Sequence, residues 1–87
     1  MEDTVAPPPV KGLDASVRGK SLALRWKAVR DAGGIKGYLV EKNHRRYRLV
    51  PGTAASVPLR KAKGTWSVRA VDRAGNIGPR FQSVHVG

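Results

Sequence analysis

Three short basic runs hold the residues best suited to binding a ligand: Arg18–Lys20, Lys42–Arg46 and Arg60–Lys63. They carry eight of the 17 lysines and arginines, and Glu41 is the only acid next to any of them. The formal net charge is +11, whereas about 2 to 8 charges are ordinary for a small soluble domain. Because charge of this kind attracts anionic groups and says nothing about the fold, it indicates a polyanionic partner.

The sequence offers little for catalysis. Its acids are scattered over different predicted elements: Glu2, Asp3, Asp14, Asp31, Glu41 and Asp72. His44 lies in a basic run, and His85 lies on the outward side of the last predicted strand. A general acid and base must converge in one pocket, and nothing in the spacing positions such a pair. We therefore expect no enzyme activity.

A metal site is also weakly supported. Asp72 and Asn76, with neighbouring carbonyls, are the candidate ligands for Ca²⁺, which takes about six to eight oxygens. The favoured interpretation is that Asp72 hydrogen-bonds the amides of its own turn, as Asx residues do. The chain has no cysteine, so it has neither a disulfide nor a thiolate site. We expect no metal and no cofactor.

Short strands must position the basic runs. In Ser21–Ala28 and Thr65–Asp72, apolar and polar residues alternate with a period of two, which is typical of half-buried strands. Similar runs, ended by Gly, Pro, Asn or Asp, give seven predicted strands: Val10–Val17, Ser21–Ala28, Gly37–Asn43, Tyr47–Val50, Ala55–Leu59, Thr65–Asp72 and Gln82–Val86. No helical period persists, so the pattern predicts an all-β chain with two packed antiparallel sheets.

The predicted core takes one side of each strand. It consists of Leu13, Leu22, Leu24, Trp26, Tyr38, Val40, Val57, Leu59, Trp66, Val68, Ala70, Val84 and Val86. For the strand Tyr47–Val50, the pattern does not decide which side chains face the core. Either Tyr47 and Leu49 face inward or Arg48 and Val50 do, and the first is favoured because burying an unpaired arginine is costly. Pro58 places its strand at a sheet edge, since proline cannot donate to a ladder.

Four stretches together resemble a fibronectin type III domain of the variety found in bacterial secreted proteins. They are PPPVKGLDA (Pro7–Ala15), SLALRW (Ser21–Trp26), GGIKGYLVEKN (Gly33–Asn43) and WSVRAVDRAGNIG (Trp66–Gly78). The resemblance implies a seven-stranded, antiparallel, immunoglobulin-like β-sandwich over residues 10–87. Residues 1–9, with Pro7, Pro8 and Pro9, would form a linker or lead-in.

Individual positions support this resemblance, with one exception. Trp26 and Tyr38 match the tryptophan and tyrosine of the family's core. The family usually has a tyrosine two residues before the position of Trp66, and here that residue is Gly64. The tyrosine-corner hydrogen bond therefore cannot form, and the loop Arg60–Gly64 is one residue short. We expect a tight glycine-containing turn or a local change of register.

The strand order that the resemblance implies brings the loops after the first, third and fifth strands to one end of the molecule. Those loops are the three basic runs, and we call this end the basic pole. Its predicted anion-binding residues are Arg18, Lys20, Lys42, His44, Arg45, Arg46, Arg60, Lys61 and Lys63. The opposite end would carry Arg30, Arg73 and Arg80, offset by Asp31 and Asp72.

The resemblance also implies a role. It predicts a non-catalytic, monomeric module of a larger, exported bacterial protein, located outside the cell or in its envelope. The module would act as a spacer or accessory domain beside neighbouring domains, and its basic pole would contact an anionic glycan or cell-wall polymer. Residues 1–10 do not form a secretory signal, and no apolar run reaches the length of about 18 residues needed to span a membrane.

The alternative is a freestanding basic β domain that binds nucleic acid or another polyanion. Proteins that bind single strands use outward-facing aromatic side chains as stacking platforms. Of the five aromatic residues, Tyr47 and Phe81 alone fall outside the predicted core, and neither alternates with basic residues. Specific binding of nucleic acid is therefore disfavoured.

Overall fold

The computed structural model describes residues 5–87, so the first four residues of the predicted lead-in lie outside the described part. The strands are β1 (Asp14–Arg18), β2 (Ser21–Arg25), β3 (Ile35–Lys42), β4 (Arg45–Val50), β5 (Ala54–Pro58), β6 (Gly64–Asp72) and β7 (Ser83–Val86). One turn of 3₁₀ helix, Leu59–Lys61, lies between β5 and β6. The strands form two sheets, in the orders β1–β2–β5 and β4–β3–β6–β7, with antiparallel pairing throughout. The prediction of an all-β chain with two antiparallel sheets is confirmed.

The core lies between the sheets, on the side of each strand that the alternation selects. Trp66 and Leu24 have no exposed surface, and Trp26 and Tyr38 pack with ring centroids 5.7 Å apart. The fully enclosed or nearly enclosed apolar residues are Val10, Leu22, Leu24, Trp26, Tyr38, Val40, Val50, Val57, Ala62, Trp66, Val68 and Ala70. Leu13, Val84 and Val86 contact this cluster but are only partly buried, because they lie on or beside the edge strands β1 and β7.

Leu59 does not belong to the core, contrary to the prediction. The strand β5 ends at Pro58, and Leu59 begins the 3₁₀ turn, so its side chain is 39% exposed. Leu39 is buried although the predicted core did not include it. It lies on the outer face of the central strand β3, between Leu49 and Arg69 on the neighbouring strands, and only 4% of it is exposed.

A β-bulge explains why neither predicted facing of β4 is right. The β3–β4 register shifts between Val40 and Glu41, so that Tyr47 is the extra residue of the bulged strand. Tyr47 and Val50 therefore both contact the core, and Leu49 is 47% exposed. Arg48 is exposed and donates to the carbonyl of Ser56 on the other sheet at 3.3 Å. The prediction that Pro58 lies in an edge strand is confirmed, since β5 is at the edge of its sheet.

The described part of the lead-in packs against the sandwich. Pro7 is fully buried, and a Cβ atom added at Gly78 would lie 2.7 Å from the Pro7 carbonyl oxygen. Glycine is therefore required at position 78 by this close approach of two backbone segments. The boundary of the domain at residue 10 stays a prediction. No helix within residues 5–87 is both long and apolar enough to cross a membrane.

Candidate anion-binding site

Hydrogen bonds connect the three loops of the basic pole. The Lys42 ammonium donates to the Lys61 carbonyl at 2.6 Å, which joins the β3–β4 loop to the β5–β6 loop. The Leu59 amide donates to the Lys20 carbonyl at 2.9 Å, which joins the β5–β6 loop to the β1–β2 loop. The three basic runs, which are far apart in the sequence, therefore meet at one end of the molecule.

The β3–β4 hairpin turns through Asn43 and His44, both of which have positive φ, 52° and 67°. This is the backbone of a type I′ turn, in which asparagine is favoured because its short side chain tolerates the left-handed region. The Asn43 side-chain oxygen accepts a hydrogen bond from the Thr65 amide at 2.9 Å, and the Asn43 amide donates to the Thr65 carbonyl at 2.7 Å. These bonds hold the hairpin against the start of β6 and leave Arg45 and Arg46 exposed.

Trp66 closes the loop that lacks the tyrosine corner. Its indole Nε1 donates to the Ala62 carbonyl at 2.8 Å, and both residues are fully buried. Gly64 has a φ of 142°, and a Cβ atom there would lie 3.0 Å from the Asn43 side-chain oxygen. The turn itself is the 3₁₀ turn Leu59–Lys61, whereas Gly64 is the first residue of β6, so the expected glycine-containing turn is replaced by a 3₁₀ turn that is closed by the tryptophan hydrogen bond.

Eight of the nine predicted site residues are exposed, and Lys42 is partly buried. Its ammonium group is bonded to Lys61 and also lies 5.7 Å from the centroid of the Trp66 ring. Lys42 therefore holds the loops together and has little freedom to bind a ligand. No ion pair within residues 5–87 involves the other cations of the pole: Arg18, Lys20, Arg45, Arg46, Arg60, Lys61 and Lys63. They are free to contact an anion.

A shallow groove lies beside these cations. It has a volume of about 380 Å³ and is lined by Lys20, Pro58, Leu59 and Arg60. The alternation of apolar residues predicted a strand through Pro58 and Leu59, so neither was among the predicted site residues. The available signal was Pro58, since a proline within a predicted strand weakens the strand assignment, and β5 does end there.

Arg80 does not lie at the opposite end of the molecule, contrary to the prediction. Its guanidinium donates to both carboxylate oxygens of Glu41, at 2.7 and 3.1 Å, and to the His44 carbonyl at 3.4 Å. The segment between β6 and β7 turns back beside β6, where Ile77 is bridged to Val71 and the Gly78 amide donates to the Ala70 carbonyl. From there the Arg80 side chain reaches Glu41, on the outer face of β3 next to the β3–β4 hairpin. Arg69 is held on the same face, where it donates to the Gly78 carbonyl at 2.7 Å.

Glu41 neutralises part of the charge beside the pole. Only 5% of its side chain is exposed, and Arg80 and Arg69 lie 2.7 and 3.7 Å from its oxygens. Burial by itself raises the pKa of Glu41, but the hydrogen bonds and charge of Arg80 outweigh it, together with the charge of Arg69 and the hydroxyl of Ser67. The pKa of Glu41 therefore lies below its ordinary value.

This lowered pKa predicts a pH dependence of stability. A carboxyl whose pKa is lower in the folded state stabilises the fold above its unfolded pKa, about 4.3, and the stabilisation is lost as the pH falls through the folded pKa. The variant Arg80→Gln removes the charge that counteracts the effect of burial, so the pKa of Glu41 should be higher than in the wild type. As the pH is lowered, thermal stability should therefore begin to fall at a higher pH than in the wild type. The measurement is the melting temperature across the acid range. The exposed Arg73→Gln is the control, and an identical pH profile for both variants would contradict the role given to Arg80.

Asp72 accepts hydrogen bonds within its own turn, as the sequence favours over a metal site. Its carboxylate accepts hydrogen bonds from the Asn76 backbone amide at 2.8 Å and from the Asn76 side-chain nitrogen at 3.0 Å. Asp72 is fully buried in this turn. Within residues 5–87, no three or more His, Asp or Glu side chains are grouped so that they could hold a metal ion. The Nδ1 atom of His85 lies 3.1 Å from the Thr65 hydroxyl oxygen, within hydrogen-bond distance.

No family model matches the chain, and no curated protein matches it. Solved structures do. The crystal structure of the Clostridium perfringens spore cortex lytic enzyme SleM has a TM-score of 0.76 and 23% identity over 92% of this chain. The central fibronectin-III array of a RIM-binding protein has a TM-score of 0.70 and 17% identity over 95% of this chain. The chain spans 28% and 34% of those two proteins, so each likeness concerns one part of a longer chain.

Proposed function

We propose that the chain is a fibronectin type III-like accessory domain of a larger protein, and that its basic pole binds an anionic polymer. On this proposal, the strands β1 to β7 form a seven-stranded immunoglobulin-like sandwich. Similarity to an array of fibronectin-III domains supports this fold. Similarity to about a quarter of the Clostridium perfringens spore cortex lytic enzyme supports a place beside other domains in a longer chain. That this longer protein is exported, and lies outside the cell or in its envelope, is part of the proposal.

The observation that carries the binding proposal is the pair of hydrogen bonds that joins the three basic loops. Without the hydrogen bonds from Lys42 to Lys61 and from Leu59 to Lys20, the positive charge would be spread over independent loops. With them, seven exposed cations with no ion pair within the described residues lie at one end. A cluster of one sign raises the local concentration of an oppositely charged polymer and speeds its association.

The aromatic residues favour a polymer other than nucleic acid. Tyr47, which the sequence left outside the core, is half-buried and packs edge-on against Trp66 with ring centroids 5.0 Å apart. Its ring is therefore not available as a stacking platform for bases. The remaining candidate, Phe81, is exposed but lies beside Lys11, outside the three basic runs.

The test is a titration of the amide resonances with an acidic polysaccharide, and in parallel with a DNA oligonucleotide, at low and at near-physiological salt. We expect the polysaccharide to shift the resonances of residues 18–20, 42–46 and 59–63, and these shifts to persist at the higher salt. Shifts spread over the whole surface that vanish in salt would contradict the proposal, because they would show charge attraction without a site. Larger and persistent shifts with DNA would favour the nucleic-acid alternative.

A further inference from the structure

The groove at the basic pole combines positive charge with apolar surface, and a simple anion site lacks this combination. Two of its walls are apolar and accessible to solvent, since Pro58 is exposed and 39% of Leu59 is exposed. The other two are the cations Lys20 and Arg60, neither of which is in an ion pair within the described residues. A ligand that fits the groove must therefore carry an anionic group next to an apolar surface.

The backbone of the groove is also held in place before any ligand binds. The Leu59 amide is bonded to the Lys20 carbonyl at 2.9 Å, and the Ala62 amide is bonded to the Leu59 carbonyl at 3.1 Å. Ala62, at the end of this turn, is buried and accepts the indole hydrogen bond of Trp66. Because the backbone of the groove is held from both sides, binding a ligand requires little further ordering of the backbone.

From this geometry, and resting on the proposed function, we propose that the groove binds one sugar residue of an acidic polysaccharide. The carboxylate of the sugar lies between Lys20 and Arg60, and the C–H face of its ring packs on Pro58 and Leu59. The volume of about 380 Å³ is near the lower end of the range of small-molecule sites, about 300 to 1,000 Å³, which suits a single ring.

Other anionic ligands match only part of the groove. A polyphosphate satisfies the cations but has no apolar surface to cover Leu59. A nucleic-acid base needs an aromatic partner for stacking, and none of the four lining residues is aromatic. An anionic lipid surface needs a protruding apolar side chain for insertion, whereas Leu59 forms the wall of a depression. The acidic sugar supplies both the charge and the apolar face.

The test distinguishes the contribution of the apolar wall to ligand binding from the contribution of the positive charge. Leu59→Asn removes the apolar wall without changing the net charge, and Leu59 is exposed enough for the variant to fold. The matched control is Leu49→Asn, which changes the same residue type at 47% exposure on the outer face of β4. Binding of an oligogalacturonate and of a polyphosphate of equal charge is measured by calorimetry at low salt, after the melting temperatures have been compared.

We expect Leu59→Asn to weaken oligogalacturonate binding about fivefold, from loss of part of one leucine's contact area, and to leave polyphosphate binding unchanged. Leu49→Asn should change neither. Equal losses in the two variants, or an equal loss for both ligands in Leu59→Asn, would overturn the groove assignment and leave the basic pole standing. If the wild type binds neither polymer, the proposed function fails, and the groove assignment fails with it.

Discussion

Replacing Trp66 with alanine is expected to lower the free energy of unfolding by about 3–5 kcal/mol, the usual cost of removing a buried tryptophan side chain. The side chain has no exposed surface, packs against Tyr47, and donates the hydrogen bond that closes the loop before β6. Domains of ordinary stability have about 5–15 kcal/mol in total, so this variant should lie at or near the limit of folding. Urea denaturation followed by circular dichroism measures the loss.

A comparison of two phenylalanine variants isolates the hydrogen bond. Trp66→Phe loses ring volume and leaves the buried Ala62 carbonyl without its donor, which costs about 1–3 kcal/mol beyond the volume change. Trp26→Phe is the matched control, because Trp26 is equally part of the core but its Nε1 has no hydrogen-bond partner within the described residues. Trp66→Phe should therefore be the less stable of the two. A larger loss in Trp26→Phe would show that the indole bond does not stabilise the loop.

The second large effect concerns ligand affinity. Changing six exposed cations of the basic pole to serine should weaken binding of an acidic polysaccharide about a hundredfold at low salt, if each contact contributes about 0.5 kcal/mol, within the range for exposed ion pairs. The six are Arg18, Arg45, Arg46, Arg60, Lys61 and Lys63. Lys42 is kept because it holds two loops together, and Lys20 is kept so that the groove retains one cation.

The control variant removes the same amount of charge elsewhere. It changes Lys11, Arg25, Lys27, Arg30, Lys36 and Arg73 to serine, all of them exposed and without an ion pair within residues 5–87. Each variant lowers the net charge from +11 by six, to +5. If affinity depends on the basic pole, the control should lose much less affinity than the pole variant. Comparable losses would show that net charge alone attracts the polymer.

Alternating side chains were enough to predict the sheets. Leu22, Leu24 and Trp26 in one run, and Trp66 and Val68 in another, are large, apolar and two residues apart, so a single facing of each strand can bury them. The fibronectin-like strand order then predicted which loops share an end, and the hydrogen bonds of Lys42 and Leu59 agree with that grouping.

Other features depend on relations that a single sequence does not display. The bulge at Tyr47 depends on the register between β3 and β4, and the burial of Leu39 depends on neighbours from two other strands. Arg80 was misplaced because the path of a long loop is not encoded in a local pattern. The groove was missed because Leu59, an apolar residue two positions after Val57, continues the strand period although the strand has ended at Pro58.

The most direct test of an anion-binding end is the salt dependence of polysaccharide affinity in the wild type, the pole variant and the control variant. Each cation that displaces a counterion from the polymer steepens the fall of log K with log salt, by about 0.7 for a flexible single-stranded polyanion. The basic pole predicts a clearly shallower slope for the pole variant and a slope close to that of the wild type for the control. Equal slopes for the two variants would show that the polymer is held by the whole surface, and that the meeting of three basic loops has no part in binding.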